Sequence, residues 1–133
     1  MTDRIKIILL NAVVIALLCL LLFFAGTWWR MHSQYLLGEA ALQRGDFTGA
    51  VAGYESAIHM YIPFNQTIEK SAQQLWKIGE SNERLGDINR ALIAYRALRS
   101  SFYADRWLVT PGMEWIERCD RKIAALVPFQ KDR

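Results

Sequence analysis

The sequence predicts an all-α protein: one N-terminal transmembrane helix, then a short domain of helical hairpins. Three observations carry that expectation. Residues 7–29, IILLNAVVIALLCLLLFFAGTWW, are twenty-three residues without a charge, with Asn11 and Thr27 as their polar side chains. Beyond them, apolar residues recur at three- and four-residue spacing, the period of one helix face. One pattern of that kind occurs twice, each time with a Gly-Asp pair at its centre, Gly45-Asp46 and Gly86-Asp87.

The apolar run comes first. As a helix it reaches roughly 34 Å, against about 30 Å for the hydrocarbon core of a bilayer. A cleaved signal peptide has a shorter apolar core and small residues before its cleavage site. Cleavage after Ala25 or Gly26 would instead put Phe23 or Phe24 at the third position back, and Leu18 before Cys19 does not fit a lipoprotein site. An uncleaved anchor over 7–29 is therefore expected, behind a short tail, 1–6. Arg4 and Lys6 precede it and Arg30 follows it, while Trp28 and Trp29 suit an interfacial aromatic belt. This charge balance favours a cytoplasmic N-terminus and a domain on the far side, periplasmic if the membrane is a bacterial inner membrane. Ala12, Ala16, Cys19 and Gly26 fall on one stripe of the helix, interrupted by Phe23, with Asn11 beside it. Small residues let a second helix approach closely, and Asn11 is placed to bond across such a seam.

No proline or turn cluster separates Trp29 from Gln43. Tyr35, Leu37 and Ala41, with Leu42 beside them, continue a helical spacing. The span therefore either runs on as one helix or breaks at Ser33 or Gly38. Gly45 supplies a stop and Asp46 a helix cap. A second helix is expected to about Met60, with Phe47, Val51, Tyr54 and Ile58 on one side and Ala50 and Ala57 as small contact points. Pro63 makes Ile62–Asn65 a loop. Asn65 or Thr67 caps a third helix to Leu85 that buries Ile68, Ala72, Leu75 and Ile78. Gly86-Asp87 repeats the stop-and-cap. A fourth helix runs to about Ser101, burying Ile88, Ala91, Leu92, Tyr95 and Leu98. Residues 102–111, FYADRWLVTP, read as irregular and, for a loop, unusually aromatic. A final helix over about 112–126 turns Met113, Ile116, Ile123 and Leu126 inward, and 128–133 is a polar tail.

Composition excludes several classes of function. Fourteen Lys and Arg against twelve Asp and Glu follow the span, too even a balance for a nucleic-acid surface. Arg90, Arg96, Arg99 and Arg106 form a loose basic set against Asp87 and Asp105, read chiefly as solvated helix surface. Cys19 sits in the span and Cys119 near the far end of the chain, so they pair only if the domain folds into the bilayer. His32 and His59 stand apart from any metal-ligand spacing. The sequence has no Gly-rich phosphate loop, nucleophile elbow or Cys-x-x-Cys. Neither an enzyme nor a cofactor is expected.

The two similar segments are 37–57 and 78–98. Each has a large apolar residue before glycine (Leu37-Gly38, Ile78-Gly79), then Gly-Asp and an apolar residue (Gly45-Asp46-Phe47, Gly86-Asp87-Ile88), then Ala and Tyr four apart (Ala50/Tyr54, Ala91/Tyr95). This resembles the tetratricopeptide repeat, a pair of antiparallel helices. The copies lie 41 residues apart, where the family's period is about 34. The second has Leu98 where a small residue is usual, the first lacks an early Trp, and no third copy is evident. The domain is bounded at 30–127, with repeats about 34–60 and 67–101. Because a free-standing array needs about three repeats, this one requires its last helix, the anchor helix or a partner to complete its core.

The resemblance implies a scaffold that binds proteins on the concave face formed by the first helix of each pair. Carried over by register, that face holds Tyr35, Glu39, Leu42 and Gln43 from the first copy, and Gln73, Trp76, Glu80, Glu83 and Arg84 from the second. Trp76 is the natural anchor for a bound polypeptide segment. The reading is an accessory or assembly subunit of a larger membrane complex, with integral-membrane protein partners and the lipid bilayer as its surroundings. It is similar in architecture to anchored tetratricopeptide proteins of bacterial secretion, respiratory, cytochrome-assembly and motor machines. The alternatives are a tethered receptor or holding chaperone, and a homo-oligomeric structural component.

Overall fold

The computed structural model describes residues 2–106 and 110–132. It consists of five α-helices: α1 (Thr2–Gln43), α2 (Phe47–His59), α3 (Gln66–Arg84), α4 (Ile88–Ala104) and α5 (Met113–Leu126), followed by a 3-10 turn at Val127–Phe129. No strand occurs among the described residues. Trp107, Leu108 and Val109, part of the expected aromatic loop, lie outside them.

α1 is unbroken over 42 residues, so the two alternatives at Ser33 and Gly38 resolve to one continuous helix. It is long and apolar enough to cross a membrane, and none of its most apolar window is buried against the rest of the chain. A soluble core helix would bury that surface. Only the last third of α1 enters the domain, through Met31, Gly38 and Ala41.

α1 and α2 form the first antiparallel hairpin, α3 and α4 the second, and α5 packs on α4, with α2 joining the hairpins. The turns are built alike. Gly45 and Gly86 hold φ of 73° and 77°, a left-handed backbone that only glycine adopts without strain. Asp46 Oδ1 then accepts from Gly49 N at 2.9 Å and Asp87 Oδ1 from Arg90 N at 3.0 Å, capping α2 and α4. Asn65 Oδ1 caps α3 through Thr67 N at 2.8 Å.

The core is one cluster centred on Tyr54, Ile58, Leu75, Leu92, Tyr95 and Leu98, all fully buried. The hairpins meet at different separations. A Cβ built on Gly53 would lie 2.6 Å from Gly38 Cα and N and 2.9 Å from Gln34 O. The α1 and α2 backbones thus touch, whereas the second hairpin has Ala94 at the matching position.

Four details differ from the sequence expectation. Leu37 is 57% exposed, and Met31 is the residue that α1 buries fully in its place. α4 runs on to Ala104, so Phe102 and Tyr103 are helical and Phe102 is buried. Met113 is 49% exposed, and α5 instead buries Trp115, Ile116, Cys119 and Leu126. The C-terminal tail returns to α4: Asn89 Nδ2 donates to Lys131 O at 3.2 Å, and Arg96 reaches Gln130 at 3.4 Å.

At the end of α4 the carboxyl of Asp105 has one oxygen, Oδ2, buried without a hydrogen-bond partner. Burial raises its pKa from 3.8 to about 6, against the opposing charge of His59. The folded state therefore holds the proton more tightly than the unfolded chain does. Stability contributed here is present below the lower value and is lost as pH rises through the upper one. Asp105→Asn is expected to raise the melting temperature by a few degrees at neutral pH. That gain should vanish in melts recorded below about pH 4, where both forms are neutral.

Candidate functional site

The residues expected on the concave face fall into two groups with different surroundings. In the first hairpin, Glu39 is the hub. Its Oε1 accepts from Tyr54 Oη at 2.7 Å and from Gln74 Nε2 at 2.9 Å, tying α1 to α2 and α3. Burial raises the pKa of the Tyr54 hydroxyl, and the Glu39 hydrogen bond and charge raise it further, so it stays a neutral donor. Tyr35 stacks at a tilt on Tyr54, centroids 5.8 Å apart, and its pKa is raised by the same two causes. Leu42 and Gln43 are exposed at the end of α1. Leu42 borders a largely apolar cavity of about 240 Å³ with Phe47, Ala50, Lys77, Ile78 and Arg90.

The second hairpin is covered by α5. The Trp76 ring lies 5.0 Å from that of Tyr95 and 6.0 Å from that of Trp115, and the Arg118 guanidinium sits 4.3 Å over it. Trp76 is thus half-buried beneath α5, in contact with its own chain. Trp115 Nε1 donates to Glu69 Oε2 at 3.1 Å, fixing the start of α5 against the start of α3. Glu83 Oε2 accepts from Tyr95 Oη at 3.0 Å and from Lys122 Nζ at 2.8 Å. Burial alone would raise the Glu83 pKa, but the hydrogen bonds from Lys122 and Tyr95, with the Lys122 charge, outweigh it and hold the carboxylate below its usual value. Glu80, Glu83, Arg84 and Lys122 border an open cavity of about 380 Å³. Gln73 is exposed one turn from Glu69, to which its amide donates at 3.4 Å.

The structure therefore brings Glu80, Glu83 and Arg84 together, and separately Tyr35 and Glu39, with Trp76 set under α5. Sequence reasoning missed Lys122, Trp115 and Arg118, which complete the second group from the last helix. Their signal was a basic and aromatic face on α5, visible once Trp115, Arg118 and Lys122 are set at helical spacing. The loose basic set is dispersed: Arg90 pairs with Asp87 at 3.6 Å, Arg99 with Asp120, and Arg106 lies 4.1 Å over the Tyr103 ring.

The seam residues Asn11, Ala12, Ala16, Cys19 and Gly26 are all exposed on α1, and nothing lies within 4 Å of a Cβ placed on Gly26. Both cysteines are free. Burial pushes the Cys119 thiol up to about 12.

Among known proteins, a family model described as tetratricopeptide repeat matches residues 75–102. That stretch runs from Leu75 in α3 to Phe102 in α4, the second hairpin. No curated protein and no solved structure matches the chain.

Proposed function

We propose that this chain, whose residues 75–102 match the tetratricopeptide repeat, is a membrane-anchored scaffold and an accessory or assembly subunit of a larger membrane complex. Its partners are integral-membrane proteins held at the Ala12–Ala16–Cys19–Gly26 seam with Asn11, and a polypeptide segment held by the domain. It carries no catalytic role. The observation behind this reading is the continuity of α1: one helix is both the apolar span and the first helix of the first hairpin. Two contacts on one rigid body reinforce each other, since the first raises the effective concentration of the second.

The domain offers two kinds of surface to a partner. The cavity beside Glu80, Glu83 and Arg84 suits a mixed or basic side chain, and the apolar one beside Leu42 suits an aliphatic anchor. Tyr35, Glu39, Gln43 and Gln73 complete the surface that this reading assigns to a partner. Because Trp76 is engaged by Trp115 and Arg118, it supports this face from beneath.

The test is gentle extraction from the native membrane, followed by native sizing and mass-spectrometric identification. The expected result is integral-membrane partners in fixed ratio, lost when Ala12 and Ala16 are both changed to Leu. A lone monomer or a ring of identical chains would overturn the reading, in favour of a tethered receptor or a homo-oligomer.

A further inference from the structure

The up-and-down order of the helices places particular loops at particular heights. α1 leaves the apolar span at Trp29, and α2 returns antiparallel along it. Gly53 touches Gly38 and Gln34. Met60, seven residues further on and just past the end of α2, therefore lies about level with Trp29 on the antiparallel partner. The burial of Met31 and Ile58 in one core agrees with this register. The loop that follows Met60 thus lies at the level where α1 leaves the span.

At that level Phe64 is 105% exposed and holds φ of 63°. A bulky aromatic side chain with a left-handed backbone is a strained arrangement, and here it points a fully uncovered ring away from the domain. The ends of the other helices gather at the same place. Tyr61, Ile62, Phe64, Phe102, Gly112 and Trp115 line one small cavity, so the α2–α3 loop, the end of α4 and the start of α5 share one end of the domain. Tyr61 is 39% exposed, Tyr103 42% and Met113 49%. Arg106 caps the Tyr103 ring. The opposite end carries the Gly-Asp turns.

The geometry points to a second membrane contact: the end of the domain bearing Tyr61, Phe64, Tyr103, Arg106 and Met113 rests on the interface of the bilayer that α1 spans, with the Phe64 ring inserted among the headgroups. This rests on the reading of α1 as a span. The occupant is a lipid surface because the patch is continuous in height with Trp28 and Trp29. Its chemistry, apolar rings with tyrosine hydroxyls and an arginine, is that of an interfacial belt. The strain at Phe64 then has a use, since it turns the ring toward the bilayer.

The experiment uses the full chain reconstituted in phosphatidylcholine–phosphatidylglycerol vesicles. In a Cys19→Ala background, with the buried Cys119 unreactive, Phe64→Cys and Leu85→Cys are each labelled with a polarity-sensitive fluorophore. Leu85 is 82% exposed at the opposite end. Brominated lipids are expected to quench the probe at 64 by roughly half, as at a depth of about 5–10 Å, and to leave the probe at 85 bright. Equal, water-like emission at both positions would overturn the contact. So would a blue shift at 64 without bromolipid quenching, which would mean that protein covers the site. Flotation in alkaline carbonate separates the two failures. A chain that leaves the vesicles loses the span and this contact together, whereas a chain that floats with an unquenched probe loses the contact alone.

Discussion

Gly53→Val is expected to destabilise the domain by about 3 kcal/mol, the upper part of the range for overpacking a well-filled contact. The added side chain would meet backbone, at Gly38 and at the Gln34 carbonyl, which cannot rotate away as a side chain can. α1 and α2 would have to separate, loosening Tyr54 and Met31 in the same core. For a domain of this size the melting temperature should fall by roughly 10 °C or more. A change to Val at Ala94, the matching position of the second hairpin, adds less bulk over the residue already present and should cost less. Thermal denaturation followed by circular dichroism, with both variants in the same detergent, measures the difference. Equal melting temperatures would show that the first hairpin tolerates the wider spacing.

Ser33→Pro should have an effect of similar size by another route. Proline removes the hydrogen bond to the Trp29 carbonyl and its ring clashes with that carbonyl, at a cost of about 3 kcal/mol or more within a helix. Ser33 lies in the last third of α1, just past the apolar span and between the domain contacts of Met31 and Gly38. The domain core should remain, since Met31 is the one fully buried residue on the span side of the break. What should be lost is the fixed angle between span and domain. Spin labels at the start of the span and at Leu85 are expected to give a narrow distance distribution in the native chain and a broad one in the variant. An unchanged distribution would mean that the pose is held by contacts other than α1.

The punctuation of the fold was legible because its chemistry is local. Gly45-Asp46 and Gly86-Asp87 each join a left-handed glycine to a capping carboxylate, and both turns form as read. The buried stripes of α2, α3 and α4 were legible for the same reason, as each is dense in aliphatic residues at one phase. Where apolar residues adjoin, phase is ambiguous. Leu36 and Leu37 stand side by side, and the face of α1 is settled by Gly38, which must meet α2. In α5 the stripe runs through Trp115 and Cys119, residue types that a reading weighted to aliphatics passes over for Met113. Ser100-Ser101 looked like an end to α4, yet Ser101 is buried and satisfies its hydroxyl on the Ala97 carbonyl at 2.6 Å, so the helix continues.

The candidate site was less legible because its pairings are set by distant elements. Glu39 and Glu80 hold the same place in the two copies, and sequence offers no reason to separate them. Tyr54 nevertheless bonds Glu39 while Tyr95 bonds Glu83, toward which Lys122 of α5 is drawn from 39 residues away. Trp76 read as an open anchor because α5 was read without its Trp115–Arg118 face.

The unbroken α1 also acts as a ruler. From Trp29 to Leu42 the helix rises about 20 Å at its regular pitch. With α1 across a bilayer, the cavities beside Leu42 and Glu83 stand at that fixed height. A segment reaches them only if it extends that far from the membrane, so a short loop lying at the headgroups meets the lower end of the domain but not its upper surfaces. In the proposed scaffold role, selection among partners is then partly a matter of length, imposed before any side chain is compared.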